Sequence, residues 1–431
     1  MGSSQQYLRV GLLLSCGIFL HVISNFSAQK SDSLTRNAAS GVSGVTGKLP
    51  FLRLERRFEQ ERKFESVLSI HQERNYIGQK LNWGVCTTIS ELSNAITFVA
   101  ATEGWHVVVV GDAKTPHPKT LQKNIHFLSL DAQKEFRHKA GAFVDKIPLN
   151  HFGRKNIGYL YAIYHGAKEI FDFDDDNFLK KSNHLAFLNT HVMEMSVQKG
   201  CLVGNPYPIM GAPSAGNVPA WPRGYPLEKI KSNCSQMLNE WSKTRSIDIF
   251  QYLADVDPDV DGVFRLTREI PFSFTSNLTD IIAIRAGIYV PFNAQATFFR
   301  YRSFWSLFLP VTVHGRVSDI WRSYVAQRIL WEHGSQIGFL PPGVDQIRNA
   351  HNPLADMNAE ADLYEKSLGL IELIDDWIPT KKHVPGMLED LYILLFEYGV
   401  IEMEDVILIQ DWLFALYKIG YNFTEGQALE S

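Results

Sequence analysis

Asp172, Asp174, Asp175 and Asp176 crowd the segment Glu169-Ile-Phe-Asp-Phe-Asp-Asp-Asp-Asn-Phe178, at the end of an apolar run. Carboxylates this close raise one another's pKa and resist compaction. A fold keeps them at the end of a buried strand most readily when a cation neutralises them. Hard oxygen ligands select Mg²⁺ or Mn²⁺, and those ions in turn hold phosphates. Asp174, Asp175 and Asp176 are therefore candidate metal ligands. The ion would act as a Lewis acid for a departing diphosphate. Continued strand alternation would put Asp172, Asp174 and Asp176 on one face. The plainer alternative is a solvated acidic turn.

The residues ahead of the cluster read as strands alternating with helices. Residues 83–89 form a buried strand, and residues 90–101 a helix with Ser90 as candidate N-cap. Residues 105–110 are a β-branched apolar run, as in a central parallel strand. A third strand spans 125–130. A helix over 154–166 puts Ile157, Leu160, Tyr161 and Tyr164 on one face. Residues 169–173 are the fourth strand. Such alternation predicts a parallel, doubly wound α/β sheet, with ligands outside the carboxyl ends of its strands. Thr87, Thr88, Asp112 and the acidic cluster all fall at those ends, so they should share one crevice.

Other residues extend the list. Arg154 and Lys155 open a helix and are candidate diphosphate ligands, although two cations there are also an ordinary solvated surface. Arg223 lies in the loop Trp221-Pro-Arg-Gly-Tyr-Pro226, where it would clamp a phosphate or a sugar edge. Asp319 opens a helix over 317–332, as a first-turn acid or as general base toward an acceptor hydroxyl. His351 is a candidate late metal ligand, although a lone histidine is more often structural. Strand or helix signals resume at 281–284, 289–291 and 307–313, and 356–431 is mostly helical.

Two rival acidic motifs fail on spacing. In Asp255-Val-Asp-Pro-Asp-Val-Asp-Gly262 a calcium loop would need a closing glutamate where Arg268 stands. A haloacid-dehalogenase-type phosphatase would need Thr or Val where Asp175 stands, and its aspartates follow the first strand.

The 431 residues carry a net charge of −4 and 45% hydrophobic content, an ordinary globular balance that gives no reason to expect nucleic acid as partner. Residues 10–23 are almost wholly apolar, which suits a signal anchor or leader over 1–24. N-x-[ST] triplets at Asn25, Asn233, Asn277 and Asn422 agree with a lumenal body. Of four cysteines, Cys16 lies in the leader. Cys86, Cys201 and Cys234 permit at most one intramolecular bridge. The expected organisation is an anchor at 1–24, a flexible stem over 25–80, a catalytic domain over 81–355 and a helical region over 356–431.

Several stretches resemble a known family. They are Trp83-Gly-Val-Cys-Thr-Thr-Ile-Ser90, Arg154-Lys-Asn-Ile-Gly-Tyr-Leu-Tyr-Ala-Ile-Tyr-His-Gly-Ala167, Ile170-Phe-Asp-Phe-Asp-Asp-Asp176, Phe304-Trp-Ser-Leu-Phe-Leu-Pro-Val311, Asp319-Ile-Trp-Arg322 and Gln327-Arg-Ile-Leu-Trp-Glu332. These are similar to the STELLO family of probable Golgi glycosyltransferases, over roughly residues 80 to 355. Asp174-Asp-Asp176 with Arg223-Gly-Tyr-Pro226 also resembles the reversibly glycosylated polypeptides, which act on UDP-arabinose. Both resemblances imply a GT-A-like, Rossmann-like nucleotide-sugar fold with a mixed sheet and helices on both faces. They imply Mn²⁺ or Mg²⁺ as cofactor, a nucleotide-sugar donor (a UDP-sugar is favoured) and a glycan or protein acceptor. STELLO proteins are type II Golgi membrane proteins linked in plants to cellulose synthase assembly. The expectation is a single-pass Golgi membrane glycosyltransferase, possible as a homo-oligomer through its stem. The alternative is a non-catalytic scaffold that keeps the fold and organises other Golgi enzymes.

Overall fold

The computed structural model describes residues 53–54, 56–57, 81–185, 191–348 and 352–423. Its strands are β1 (Asn82–Thr87), β2 (Trp105–Val110), β3 (Ile125–Leu128), β4 (Glu169–Phe173), β5 (Asn177–Leu179), β6 (Val192–Val197), β7 (Ser214–Ala215), β8 (Val218–Pro219), β9 (Gln236–Glu240), β10 (Ser246–Asp255), β11 (Ile281–Ile284), β12 (Ala296–Arg300) and β13 (Ser335–Gln346). All but the β7–β8 hairpin join one sheet of eleven strands, in the order β3-β2-β1-β4-β12-β10-β13-β11-β6-β9 with β5 on β13.

Alternation along β2 shows why the sheet is buried on both sides. Val108 and Val110 join one hydrophobic cluster, and Val107 and Val109 the other. The first cluster takes in helix Lys155–Tyr164 and helix Gly315–Glu332, and the second takes in helix Asn94–Ala101. Strands β1 to β4 are mutually parallel, as the βα alternation predicts. Strand β12 then runs antiparallel between β4 and β10. The sheet is therefore mixed, an arrangement consistent with a GT-A-like fold.

Element boundaries moved where side chains captured backbone groups. Strand β1 stops at Thr87 because Thr88 Oγ1 accepts the Ser90 N–H at 3.0 Å and closes a local turn. Ser90 is thus in a loop, and Ser93 caps helix Asn94–Ala101. Strand β3 stops at Leu128 because Ser129 caps helix Leu130–Ala140. The segment 307–313, which carries a strand or helix signal, forms neither after the 3₁₀ helix that ends at Leu307. Its N–H groups are taken by side chains instead: Leu309 donates to Asn156 Oδ1 at 2.8 Å and Val311 to Asp405 Oδ1 at 2.7 Å.

The helices Ala361–Asp375, Val384–Glu397 and Met403–Lys418 are not a free-standing appendage. Leu370, Leu391 and Trp412 belong to the same cluster as Ile170 and Trp321. The Trp412 indole donates to the Trp305 carbonyl at 3.0 Å. Leu54, beyond the expected domain boundary, is buried on these helices, and its N–H donates to Glu389 Oε1 at 2.6 Å. The expected anchor at 1–24 and most of the stem lie outside the described residues. Among the described residues no helix is long and apolar enough to cross a membrane.

Candidate functional site

Parallel pairing brings the carboxyl ends of β1, β2 and β4 to one edge. Thr87 lies beside Val110, and Val85 beside Asp172. A pocket of about 430 Å³ opens there. Thr87, Thr88, Asp112, Arg154, Asp174, Asp175 and Asp176 all line it, so the expected crevice forms.

The acidic loop leaves the strand as a turn. Asp174 N–H donates to the Gln295 carbonyl, and Asn177 N–H returns to the Asp174 carbonyl, both at 3.2 Å. This turn, rather than strand alternation, sets the three outer carboxylates. Asp174 Oδ1 accepts from the Lys155 ammonium at 2.9 Å. Asp175 Oδ2 accepts from Thr88 Oγ1 at 2.5 Å. Asp176 Oδ2 lies 3.3 Å from the Gln346 amide, whose nitrogen can instead serve the Asp257 carbonyl when the amide is turned. Asp176 Oδ1 is buried with no hydrogen-bond partner among the described residues. Burial, opposed by Lys155 and reinforced by Asp176, raises the Asp174 carboxyl to about 7. Burial also raises Asp176.

Asp172 differs from its neighbours. It is wholly buried, 2.7 Å from the Lys155 ammonium and 3.1 Å from the Arg322 guanidinium.

Among the described residues no three His, Cys, Asp or Glu side chains are grouped so that they could hold a metal ion by themselves. The donor set nevertheless fits a hard divalent ion. Mg²⁺-type sites keep waters and use one or two carboxylates, with substrate phosphate completing the shell. The orphaned Asp176 Oδ1 is the kind of buried oxygen that such an ion satisfies.

Two cations line the same pocket. Arg154 is 5% exposed and forms no ion pair among the described residues; its Nη1 donates to the Ile147 carbonyl at 3.0 Å and its Nε to Gln133 Oε1. Burial lowers its pKa, and Asp112 partly restores it. Lys114 lines it too, exposed and without an ion pair among the described residues. Asp112 organises the loop between them, accepting N–H groups from Ala113 at 2.7 Å and His151 at 3.1 Å.

Three expected site residues, Lys155, Arg223 and Asp319, sit elsewhere. Lys155 is fully buried and bound to carboxylates, so it does not reach a diphosphate. Arg223 is buried between Asp259, at 2.9 Å, and Asp319, at 2.8 Å, which leaves no free edge for a phosphate clamp. Asp319 is buried in that pair and also accepts the Ala294 N–H at 3.1 Å. It does not line the pocket, and His314 rather than Asp319 caps its helix. His351 lies outside the described residues. The second acidic run is likewise occupied: Asp257 pairs with Arg265 at 2.6 Å, and Asp261 caps helix Gly262–Thr267.

The pocket also includes residues that sequence reasoning passed over: Lys114, Asn150, His151 and Phe152. His151 Nδ1 accepts the Gly153 N–H at 2.9 Å, and burial lowers its pKa, so the ring is held neutral. Lys114 was visible, two residues beyond Asp112 in a loop already assigned to the crevice. His151 gave only a weaker signal, as part of the short polar turn before Arg154.

Residues 316–428 match the family model described as STELLO glycosyltransferases. The chain is 32% identical over 365 residues to Probable glycosyltransferase STELLO2 of Arabidopsis thaliana, which covers 81% of this chain and 46% of that protein. It is 31% identical over 369 residues to Probable glycosyltransferase STELLO1 of the same plant, covering 82% and 46%. The chain thus spans about half the length of the curated relatives it matches.

Proposed function

We propose, on the premise that this chain is a relative of the STELLO glycosyltransferases, that it is a metal-dependent glycosyltransferase using a nucleotide-sugar donor. One observation carries the reading: three carboxylates and two cations that form no ion pair among the described residues line a single pocket, Asp174, Asp175 and Asp176 with Arg154 and Lys114. A metal–diphosphate unit has the charges to satisfy both sets, with a sugar at its far end.

Asp174 and Asp176 are the residues that would hold Mn²⁺ or Mg²⁺. When bound, the ion supplies Lewis acidity to the leaving diphosphate. The protein's own groups do the rest. Arg154 and Lys114 attract the phosphates. Thr88 fixes Asp175 through its hydroxyl. Asp112 fixes the loop that carries Lys114 by accepting the Ala113 N–H. The likeness of Asp174-Asp-Asp176 and Arg223-Gly-Tyr-Pro226 to UDP-arabinose-acting proteins favours a UDP-sugar. The acceptor is a glycan or protein. Asp319, buried in its pair with Arg223 and outside the pocket lining, does not serve as base.

The reading extends to a secretory-pathway setting, in the Golgi, with the apolar segment at 10–23 as anchor. Supporting it, Cys201 and Cys234 form a disulfide, a bond that persists in oxidising compartments. Asn233, Asn277 and Asn422, the sequon asparagines among the described residues, are all exposed.

Thermal shift with Mn²⁺ and a panel of UDP- and GDP-sugars tests the activity class on wild type and Asp176→Ala. A ligand at a hundred times its Kd stabilises by about 2.7 kcal/mol. Donor-specific, Mn²⁺-dependent stabilisation lost in the variant supports the enzyme. No stabilisation by any donor selects the scaffold reading.

A further inference from the structure

Resting on the metal–nucleotide reading of the pocket, we propose that Lys155 is its positioning residue: it presents Asp174 in one orientation and makes capture of the cation depend on the diphosphate. Lys155 is the first residue of helix Lys155–Tyr164 and has no exposed surface. Its ammonium is 2.7 Å from Asp172 Oδ1, 2.9 Å from Asp174 Oδ1 and 2.7 Å from the Ala294 carbonyl. An ammonium has three N–H donors. Two of them go to Asp174 and the Ala294 carbonyl, and Asp172 lies against the same ammonium as an ion pair, so this fully buried cation serves carboxylates and not substrate.

Arg322 grips Asp172 from the other side, with Nη1 and Nη2 both 3.1 Å from Oδ2. The result is a chain of two cations and two carboxylates, Arg322–Asp172–Lys155–Asp174. Its members are essentially unexposed except Asp174, whose side chain is 34% exposed at the pocket. Asp174 Oδ1 is held inward, and Oδ2 makes no hydrogen bond among the described residues. A rotation of this carboxylate would break the Lys155 contact and leave a buried charge uncompensated.

This arrangement has an electrostatic consequence. The fixed ammonium that orients Asp174 also opposes a bare divalent ion at the same carboxylate. A diphosphate brings negative charge to the other face of the ion and relieves that opposition. Cation and nucleotide therefore bind as a coupled pair, and each raises the affinity of the other.

Calorimetric titration of the full chain tests this without any activity readout. Wild type is expected to bind Mn²⁺ about tenfold more tightly with saturating UDP than without it. Lys155→Met is expected to weaken Mn²⁺ binding in the presence of UDP by about tenfold or more. Arg322→Met breaks the same buried chain at its far end. It is expected to lower Tm while changing that affinity by less than about threefold. Lys155→Gln keeps N–H donors without the charge and should lose less than Lys155→Met; it carries the comparison if Lys155→Met does not fold. Equal losses in the Lys155 and Arg322 variants, or no loss in either, would overturn the positioning role. So would equal Mn²⁺ affinity with and without UDP. A wild-type chain that binds no UDP even with Mn²⁺ overturns the underlying site reading instead, and the proposal with it.

Discussion

Arg223 and Asp319 meet in a two-pronged ion pair, Nη1 to Oδ1 at 3.1 Å and Nη2 to Oδ2 at 2.8 Å, although 96 positions separate them in the chain. Asp259 holds the same guanidinium at 2.9 Å. Read singly, each residue looks available for ligand or proton. Together they tie the loop after β8 to helix Gly315–Glu332. Removing one member leaves buried charge without its partner, at a cost of about 3–5 kcal/mol. Arg223→Met should therefore lower urea stability by that order. Mn²⁺-dependent UDP affinity, measured per folded molecule, should stay near wild type. Loss of UDP affinity with unchanged stability would return Arg223 to the donor site.

Proton competition at Asp174 gives a pH dependence with a definite sign. Its carboxyl is raised to about 7, chiefly by burial. Below that pH the group is mostly protonated, and a cation must displace the proton; above it the carboxylate is free. Binding of Mn²⁺ with UDP should therefore strengthen as pH rises through 7, by roughly tenfold between pH 6 and pH 8. Titrations at those two pH values check this. A flat profile would remove Asp174 from the ligand set.

Lys114 is exposed, forms no ion pair among the described residues and lines the pocket. Lys114→Ala should leave Tm almost unchanged, since surface substitutions typically cost within about 0.5 kcal/mol. It should weaken UDP binding several-fold, by about 1 kcal/mol, with the difference shrinking at high salt. Equal affinity at low salt would show that the phosphates sit elsewhere.

Gly158 connects packing to the site. A Cβ there would approach Val110 Cγ2 to 2.7 Å and Val85 Cγ1 to 2.8 Å. The bare glycine lets helix Lys155–Tyr164 press onto the sheet and set Lys155 beneath Asp174. Gly158→Val should destabilise the fold by about 1–3 kcal/mol and weaken metal-dependent binding in the same protein. Denaturation and calorimetry on one preparation would read both effects. A destabilised variant with intact Mn²⁺–UDP binding would uncouple the helix from the site.

The crevice was legible in the sequence because its evidence is local. Trp105-His-Val-Val-Val-Val110 announces a strand buried on both faces, and Thr87, Asp112 and the acidic cluster each fall at or near the carboxyl end of a strand. Carboxyl-end logic then places them together. What stayed hidden depends on distant partners. The extended look of 307–313 gave no hint that Asn156 and Asp405 would satisfy its backbone. Lys155 reads as a diphosphate ligand or a solvated cation in the sequence, because nothing local shows that Asp172, Asp174 and Ala294 close around it. The antiparallel insertion of β12 and the fusion of the C-terminal helices with the main core are likewise set by tertiary packing.

Anomalous diffraction from crystals of the full chain grown with Mn²⁺ and UDP locates the ion directly. One strong manganese peak is expected against carboxylate oxygens of Asp174 and Asp176. The diphosphate should lie between that peak and Arg154. A manganese peak bound to UDP but remote from both aspartates, or UDP seated in the pocket with no metal beside it, would contradict that expectation.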